Sequence, residues 1–421
     1  MSDTLTELTI EAMGAAGDGI ARLPGGADCF VVGALPGERV RARPLPGRAV
    51  PAEAVTRPSP ERVAPPCTHF GACGGCALQH WAEAPCADWK RARLAEALAR
   101  AGAPDAPVAP LRLSPPGTRR RADLALRRGP GGVAVGFHAR GDVAVVDLAE
   151  CHVLDPRLVA LLPPLRAALR GLAALRREGS AVLNLLETGP DLLLRTDGVL
   201  DAAGRAALAA FAAAHGLPRV AWARGSGAPE VAAQHGPALI RFAGVPVSPP
   251  PGAFLQATPE GEAAIVEAVL AALPERLPAR ARIAELYAGV GTLSFPLAAR
   301  ARIAAFEGAA EAVAALSAAA RQAGARVEAA RRDLARQPLL PKELAPFAAV
   351  VLDPPFAGAA EQVGLIARAR VPLVVYVSCN PAALARDARA LLGAGYRVRQ
   401  AVPVDQFRWS THLESVIAFG L

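Results

Sequence analysis

Val374-Val375-Tyr376-Val377-Ser378-Cys379-Asn380-Pro381 lies near the C-terminal end of the chain, and the rest is read outward from it. Four apolar or aromatic residues in a row predict a buried strand, and Asn380-Pro381 marks a sharp turn. Cys379 then stands at the C-terminal lip of a strand, where open α/β sheets place their ligands. The amphipathic pattern from Ala382 to Leu392 predicts a helix whose N-terminus points at the same lip. Positive partial charge there is expected to lower the thiol pKa and favour the nucleophilic thiolate. Alone, Cys379 reads more simply as a small buried residue ending a strand. The surrounding stretches move it towards chemistry.

From Gly252 onward, strands and helices alternate. Strand Ile283–Leu286 runs into Tyr287-Ala288-Gly289-Val290-Gly291-Thr292 and a helix, and the next strand, Ile303–Phe306, ends on Glu307. Strand Ala348–Leu352 ends on Asp353-Pro354-Pro355, the Cys379 strand follows, and a hairpin-like pair near Tyr396–Val404 and Glu414–Phe419 closes the chain. This is the layout of a doubly wound sheet. A Gly-x-Gly after the first strand, with an acid ending the second, suits an adenosine cofactor whose ribose hydroxyls are held by Glu307. The third glycine of a dinucleotide fingerprint is missing and there is no Gly-Lys-Ser/Thr, which argues against NAD and against an NTPase.

Seven cysteines in 421 residues, an odd and clustered set, point to metal or catalysis rather than to a disulfide framework. Cys67-Thr68-His69-Phe70-Gly71-Ala72-Cys73-Gly74-Gly75-Cys76 packs three thiols against glycines that let the backbone curl, which suits an iron–sulfur cluster. Cys86 and Cys151 are both candidates for a fourth ligand. Zinc, with His69 or His80 as a further donor, is the rival. Cys86 falls in the first turn of a helix predicted over Pro85–Ala101, with Gly102 past its end.

Three segments emerge. Residues 1–58 read as short strands separated by Gly/Pro turns, a five-stranded barrel of the OB type and a common nucleic-acid platform. Residues 59–250 read as an α+β region carrying the cysteines, with alternating strands around 122–147 and 181–196 and one helix from about Asp155 to Arg176. Its Arg119-Arg120-Arg121 triplet is a candidate phosphate contact. Residues 251–421 form the α/β unit. The net charge of +8 permits a polyanionic partner, although the Ala, Arg, Gly and Pro bias also fits a GC-rich genome. Lys90 and Lys342 are the only lysines. No stretch supplies roughly 18 uninterrupted apolar residues and Met1–Ile10 has no signal pattern, so a cytoplasmic protein with no membrane partner is expected.

These pieces together resemble the RNA uridine-C5 methyltransferases that use S-adenosylmethionine. The likeness is carried by Tyr376–Pro381 with Thr411-His412-Leu413-Glu414-Ser415, by Phe254-Leu255-Gln256, by Tyr287 through Gly291, and by Asp353-Pro354-Pro355. The Gly-Asp-Gly-Ile-Ala and Leu-Pro-Gly-Glu-Arg-Val runs are similar to a TRAM domain, an RNA-binding barrel. The resemblance implies Cys67, Cys73, Cys76 and Cys151 as 4Fe–4S ligands, and Gln256, Tyr287, Gly289, Gly291, Thr292, Glu307 and Asp353 around the cofactor. It implies Cys379 as the nucleophile that adds to uracil C6 and Glu414 as the base that removes the C5 proton. A barrel with a cluster is most similar to the branch acting on 23S ribosomal RNA, on a base flipped from its stack. A monomer with no protein partner is expected.

Phe356 stands where the family commonly has Arg, Arg408 where it has Pro, and Thr292 where it often has Asn. These departures bear on substrate choice, so a tRNA uridine is the alternative target. A catalytically inactive iron–sulfur RNA-binding protein is the alternative from another class. A radical enzyme using the same cofactor is disfavoured, because the cysteine spacing is Cys-x5-Cys-x2-Cys rather than Cys-x3-Cys-x2-Cys.

Overall fold

The computed structural model describes residues 4–421; Met1 to Asp3, at the start of the expected barrel, lie outside the described residues. The C-terminal unit is an eight-stranded sheet. Its spatial order is Val327–Arg331, Arg302–Glu307, Arg282–Leu286, Ala349–Leu352, Leu373–Ser378, Glu414–Gly420, Arg397–Asp405 and Arg112–Leu113. The first five are parallel, and Glu414–Gly420 runs antiparallel to both of its neighbours. The chain works outward from Arg282–Leu286 in one direction and then returns to build the other side. The switch point therefore lies between Arg282–Leu286 and Ala349–Leu352, and Tyr287 and Asp353 follow directly from those two strands.

Strands buried on both faces read as continuous apolar runs. Val374, Val375, Tyr376 and Val377 are all 0% exposed, and burying each such side chain contributes roughly 1.5–3 kcal/mol relative to leaving it in water. Helices Pro259–Ala272 and Ala310–Ala323 pack on one face through Ile265, Val269 and Leu316. On the other face Ala360–Ala369 and Pro381–Gly393 contribute Val363, Ile366, Leu384 and Leu391. Helix Glu83–Ala101 joins that second face through Leu94 and Leu98, and Arg112–Leu113 pairs at the edge of the same sheet. Residues 83–113, which the linear reading places with the middle segment, thus pack on the C-terminal unit.

The middle segment forms a seven-stranded sheet with its core on Leu124, Leu126, Leu165, Leu183 and Leu194. The single helix expected over 155–176 is instead two, Pro156–Ala160 and Leu162–Arg170. Pro163 and Pro164 supply no N–H to continue the first helix, and Gly171 ends the second. Among the described residues the N-terminal segment holds seven short strands rather than five, in sheets of three and four around Leu8, Ile10, Val31 and Val40. No helix among the described residues is long and apolar enough to cross a membrane.

Candidate active site

Strand Leu373–Ser378 delivers Cys379 to the sheet's C-terminal lip, as the pattern predicts, and helix Pro381–Gly393 begins two residues later. The expected lowering of the thiol pKa does not follow. Asn380 caps the helix itself: its Oδ1 accepts from the Ala382 N–H at 3.0 Å and the Ala383 N–H at 3.4 Å. The free donors that would have stabilised a thiolate are thereby engaged. Burial, and then the carboxylates of Glu414 and Asp353, push the Cys379 thiol up to about 11. Asn380 also donates from Nδ2 to the Phe356 carbonyl at 2.9 Å, tying the loop after Asp353 to the nucleophile turn. That loop is held a second time by Asp387, whose Oδ2 accepts from the Ala359 N–H at 2.8 Å and the Tyr376 hydroxyl at 2.7 Å.

Antiparallel pairing sets Ser378 opposite Ser415, so the next residue on one strand, Cys379, falls beside the previous residue on the other, Glu414. The Ser415 hydroxyl donates to the Ser378 carbonyl at 3.0 Å and fixes this junction. Glu414 is only 5% exposed. Its Oε2 accepts from Gln406 Nε2 at 3.0 Å, while its Oε1 is buried without a partner. Burial first, and then the charge of Asp353, hold its pKa well above the ordinary carboxylate range. A buried carboxylate with one free oxygen beside a thiol has the character of a general base.

Gln406, two residues before Arg408, is joined to three groups. Besides Glu414, its Nε2 donates to Gln256 Oε1 at 2.6 Å, and its Oε1 accepts from the Ala257 N–H at 2.8 Å. Behind it, Lys90 Nζ reaches Asp405 Oδ2 at 2.6 Å in a pair closed to solvent, and Asp405 Oδ1 accepts from the Phe407 N–H. The signal for this pair was available: Lys90 is one of two lysines in a chain that otherwise uses arginine.

On the cofactor side, Gln256 Nε2 donates to Asp353 Oδ2 at 3.2 Å, and burial pushes the Asp353 carboxyl up to about 6. Arg120 holds the Gln256 carbonyl at 3.0 Å and pairs with Glu262, so this member of the arginine triplet is internal and not a phosphate contact. Arg119 instead lines the cavity described below. Tyr287 and Gly289 have positive φ, and the Gly289 N–H donates to Glu307 Oε2 at 2.9 Å. Gly291, at φ +103°, has no room for a Cβ: one would lie 2.6 Å from the Phe295 ring. Thr292 is half-buried in the same turn.

A cavity of about 580 Å³ is lined at one end by Cys379, Phe356, Phe407 and His412 and at the other by Cys67, Cys73, Cys76 and Cys151. All seven cysteines are free thiols. Burial pushes Cys76 up to about 12, with the three other thiols adding to the rise, and it pushes Cys73 and Cys151 up as well. Cys86 stands apart, in the first turn of its helix, against Asp405 and Arg408. Neither histidine joins the set as a ligand would. His69 Nε2 accepts from the Ala149 N–H at 3.0 Å, and His80 packs on Phe70 outside the cavity lining. Among the described residues, no three His, Cys, Asp or Glu side chains close around a single metal ion.

Residues 252–419 match the protein family described as tRNA (Uracil-5-)-methyltransferase. An uncharacterized RNA methyltransferase of Caulobacter vibrioides is 43% identical over 99% of this chain and 100% of its own length. The 23S rRNA (uracil(1939)-C(5))-methyltransferase RlmD of Halomonas elongata is 38% identical over 99% of this chain and 89% of its own. Among solved structures, the tRNA (uracil-54, C5)-methyltransferase of Pyrococcus abyssi, in complex with S-adenosyl-L-homocysteine, shares the fold. Its TM-score is 0.73 at 21% identity, covering 98% of this chain and 100% of that one.

Proposed function

The chain belongs to the RNA uracil-C5 methyltransferase family, and from that premise we propose that it methylates C5 of one uridine in 23S ribosomal RNA. The observation that carries the chemistry is the strand pairing that sets Cys379 beside Glu414, with Glu414 Oε1 buried and unpartnered. S-adenosylmethionine supplies an electrophilic methyl group. Once its proton has passed to solvent, Cys379 adds its sulfur electron pair to uracil C6; the C5=C6 π pair moves between C4 and C5, and the C4=O4 pair moves onto O4 as an enolate. The enolate carbon C5 then takes the methyl, and the S–CH3 pair stays on the donor's sulfur, which leaves as neutral S-adenosylhomocysteine. Glu414 Oε1 accepts the C5 proton, the C–H pair re-forms the double bond, and the C6–S bond breaks to return the Cys379 thiolate. For Cys379 to reach C6, the uridine must leave its stack. Gln256, Tyr287, Gly289, Gly291, Thr292, Glu307 and Asp353 would hold the methyl donor. Its fit rests on Glu307 at the end of the second strand and on the glycine turn facing it.

Cys67, Cys73, Cys76 and Cys151 would hold a 4Fe–4S cluster. Four thiols on one cavity wall, with Cys86 apart, His69 accepting from the Ala149 N–H and His80 outside the cavity lining, fit a closed four-thiolate set better than a zinc site using histidine. Such a group would supply a rigid cross-link between residues 67–76 and 151. The N-terminal sheets would serve as an RNA-binding TRAM barrel, and the protein would work in the cytoplasm.

Ribosomal RNA is favoured over tRNA by the end-to-end similarity to a protein named for the former. The test is transfer of labelled methyl from S-adenosylmethionine to unmodified 23S rRNA and to tRNA, with product nucleosides identified and mapped. Ribosomal 5-methyluridine with wild type and none with Cys379→Ala is expected. Product on tRNA alone would replace the substrate, and product on neither RNA would favour the inactive RNA-binding reading.

A further inference from the structure

We propose that Gln406 is a positioning residue that presents Glu414 to the target uracil through Oε1 alone and ties that orientation to the side chain of Gln256. The proposal rests on Glu414 being the base. A carboxylate's terminal torsion is broad, so a buried glutamate left to itself has two equivalent oxygens and a soft orientation. Here the two differ. Oε2 is occupied by Gln406 Nε2, and Oε1 has no partner although it is out of contact with water.

Gln406 has no freedom of its own to lose. An amide carries two N–H donors and one carbonyl, and here every function is engaged: Glu414 and Gln256 take the donors, and the Ala257 N–H takes the acceptor. The residue is 1% exposed, so water does not compete for these bonds. The Ala257 bond also fixes which end of the amide is oxygen. Packing agrees with the polar evidence. A Cβ on Gly261 would lie 2.6 Å from Gln406 Cβ, so helix Pro259–Ala272 approaches this side chain only because Gly261 has none. The backbone on either side is anchored through Asp405 by the buried Lys90.

The consequence concerns one step. Before it, C5 carries both hydrogen and the new methyl, and C6 is bonded to Cys379 Sγ. Glu414 Oε1 then takes the C5 proton, the C–H electron pair forms C5=C6, and the C6–S pair leaves with Cys379. Gln406 acts on this step and not on the methyl transfer before it. Because Gln406 also holds Gln256, which reaches Asp353 at 3.2 Å, the base is set correctly when the donor side is in order.

The experiment uses the full-length protein and 23S rRNA transcribed with uridine tritiated at C5. In a single turnover it compares methyl incorporated from labelled S-adenosylmethionine with tritium released. In wild type the two keep pace. With S-adenosylmethionine saturating, so that the lost bond to Gln256 falls on donor affinity, Gln406→Met should transfer methyl at close to the wild-type rate while tritium release lags by roughly ten- to a hundredfold, the loss typical of one hydrogen bond to a charged group. Methyl-labelled RNA covalently attached to protein should accumulate. Glu414→Gln should show the same lag, more strongly. If Gln406→Met releases tritium in step with methyl while Glu414→Gln lags, the role of Gln406 is overturned and the base stands. An effect confined to the KM for S-adenosylmethionine would overturn it equally. If Glu414→Gln keeps pace too, the base assignment itself fails. Should Gln406→Met not bind S-adenosylhomocysteine, Gln406→Glu at alkaline pH keeps the shape and the Ala257 contact without the donors, and the same ratio decides.

Discussion

The two ends of the central cavity use the same side chain for opposite purposes. At one end four cysteines line the same cavity, and burial raises the pKa of Cys73, Cys76 and Cys151, which leaves these three poor thiolates until something positively charged draws the protons off. At the other end a single cysteine faces two carboxylates that raise its pKa in the same direction. What separates the ends is the company of each thiol. A thiol among thiols is suited to sharing an inorganic core, whereas a thiol beside a partly satisfied carboxylate is suited to a reaction that moves a proton. Substitutions at the two ends should therefore fail in different ways.

The largest effect separates them outright. Cys379→Ala should reduce methyl transfer to background and abolish the covalent RNA adduct, while its iron content and melting temperature stay near wild type. Cys76→Ala should lose iron and the visible absorption of an anaerobically prepared sample and melt earlier. Elemental analysis, absorption and melting curves read both outcomes. Iron retained in Cys76→Ala, or lost in Cys379→Ala, would break the division between the two ends.

Glu414→Gln ranks next. General-base removal typically costs about a hundred- to ten-thousandfold in rate. The loss should fall on turnover, with adduct formation preserved, because Cys379 still adds and the methyl still moves. Loss of adduct along with turnover would mean that Glu414 acts on the thiol instead.

Much of this was legible in the sequence. Strand-ending residues carried the site: Cys379, Glu307 and Asp353 all stand at or just beyond strands whose apolar runs gave them away. Local pattern could not supply partnership across the chain. Lys90 meets Asp405 only because a helix before the middle sheet folds back on the last hairpin, and Gln406 meets Gln256 only because a segment 150 residues earlier packs against that hairpin. The thiol pKa was misjudged for a related reason. The pattern shows a helix N-terminus there, but whether Asn380 only turns the chain or also caps the helix and consumes its donors depends on its side-chain torsions, which the pattern does not carry. The helix over 155–176 failed on Pro163-Pro164, whose meaning was visible in the sequence.

The pH dependence follows with a definite sign. A thiol titrating near 11 is almost wholly protonated at pH 7, so its thiolate fraction rises about tenfold per pH unit until the pKa is neared. Adduct formation in a single turnover should climb accordingly between pH 7 and 9. Glu414, with its raised pKa, must also be ionised to act, so activity should fall on acidification in the same direction. A rate flat from pH 7 to 9 would show that RNA binding, rather than bulk pH, sets the thiolate. Iron content should not vary over that range, since thiolates bound to metal no longer titrate near their free values.

The smallest effect bears on which residues close the four-cysteine end. His69 lies between Cys67 and Cys73 in sequence and would be the natural fifth donor or a zinc ligand. Its Nε2 instead accepts from the Ala149 N–H at 3.0 Å, two residues before Cys151. Its role is then to hold the 149–151 segment against the 67–76 loop, alongside Glu150, whose carboxylate is held low, at about 2, chiefly by the Thr68 hydroxyl and N–H. The Ala149 N–H is on an exposed stretch, so water can replace the lost acceptor. His69→Ala should therefore cost only about 0.5–1.5 kcal/mol, the net worth of an ordinary hydrogen bond, with iron content and absorption unchanged. A variant that loses its metal would make His69 a ligand and remove one of the four cysteines from the set, and the contrast between the two ends would have to be redrawn around a mixed site.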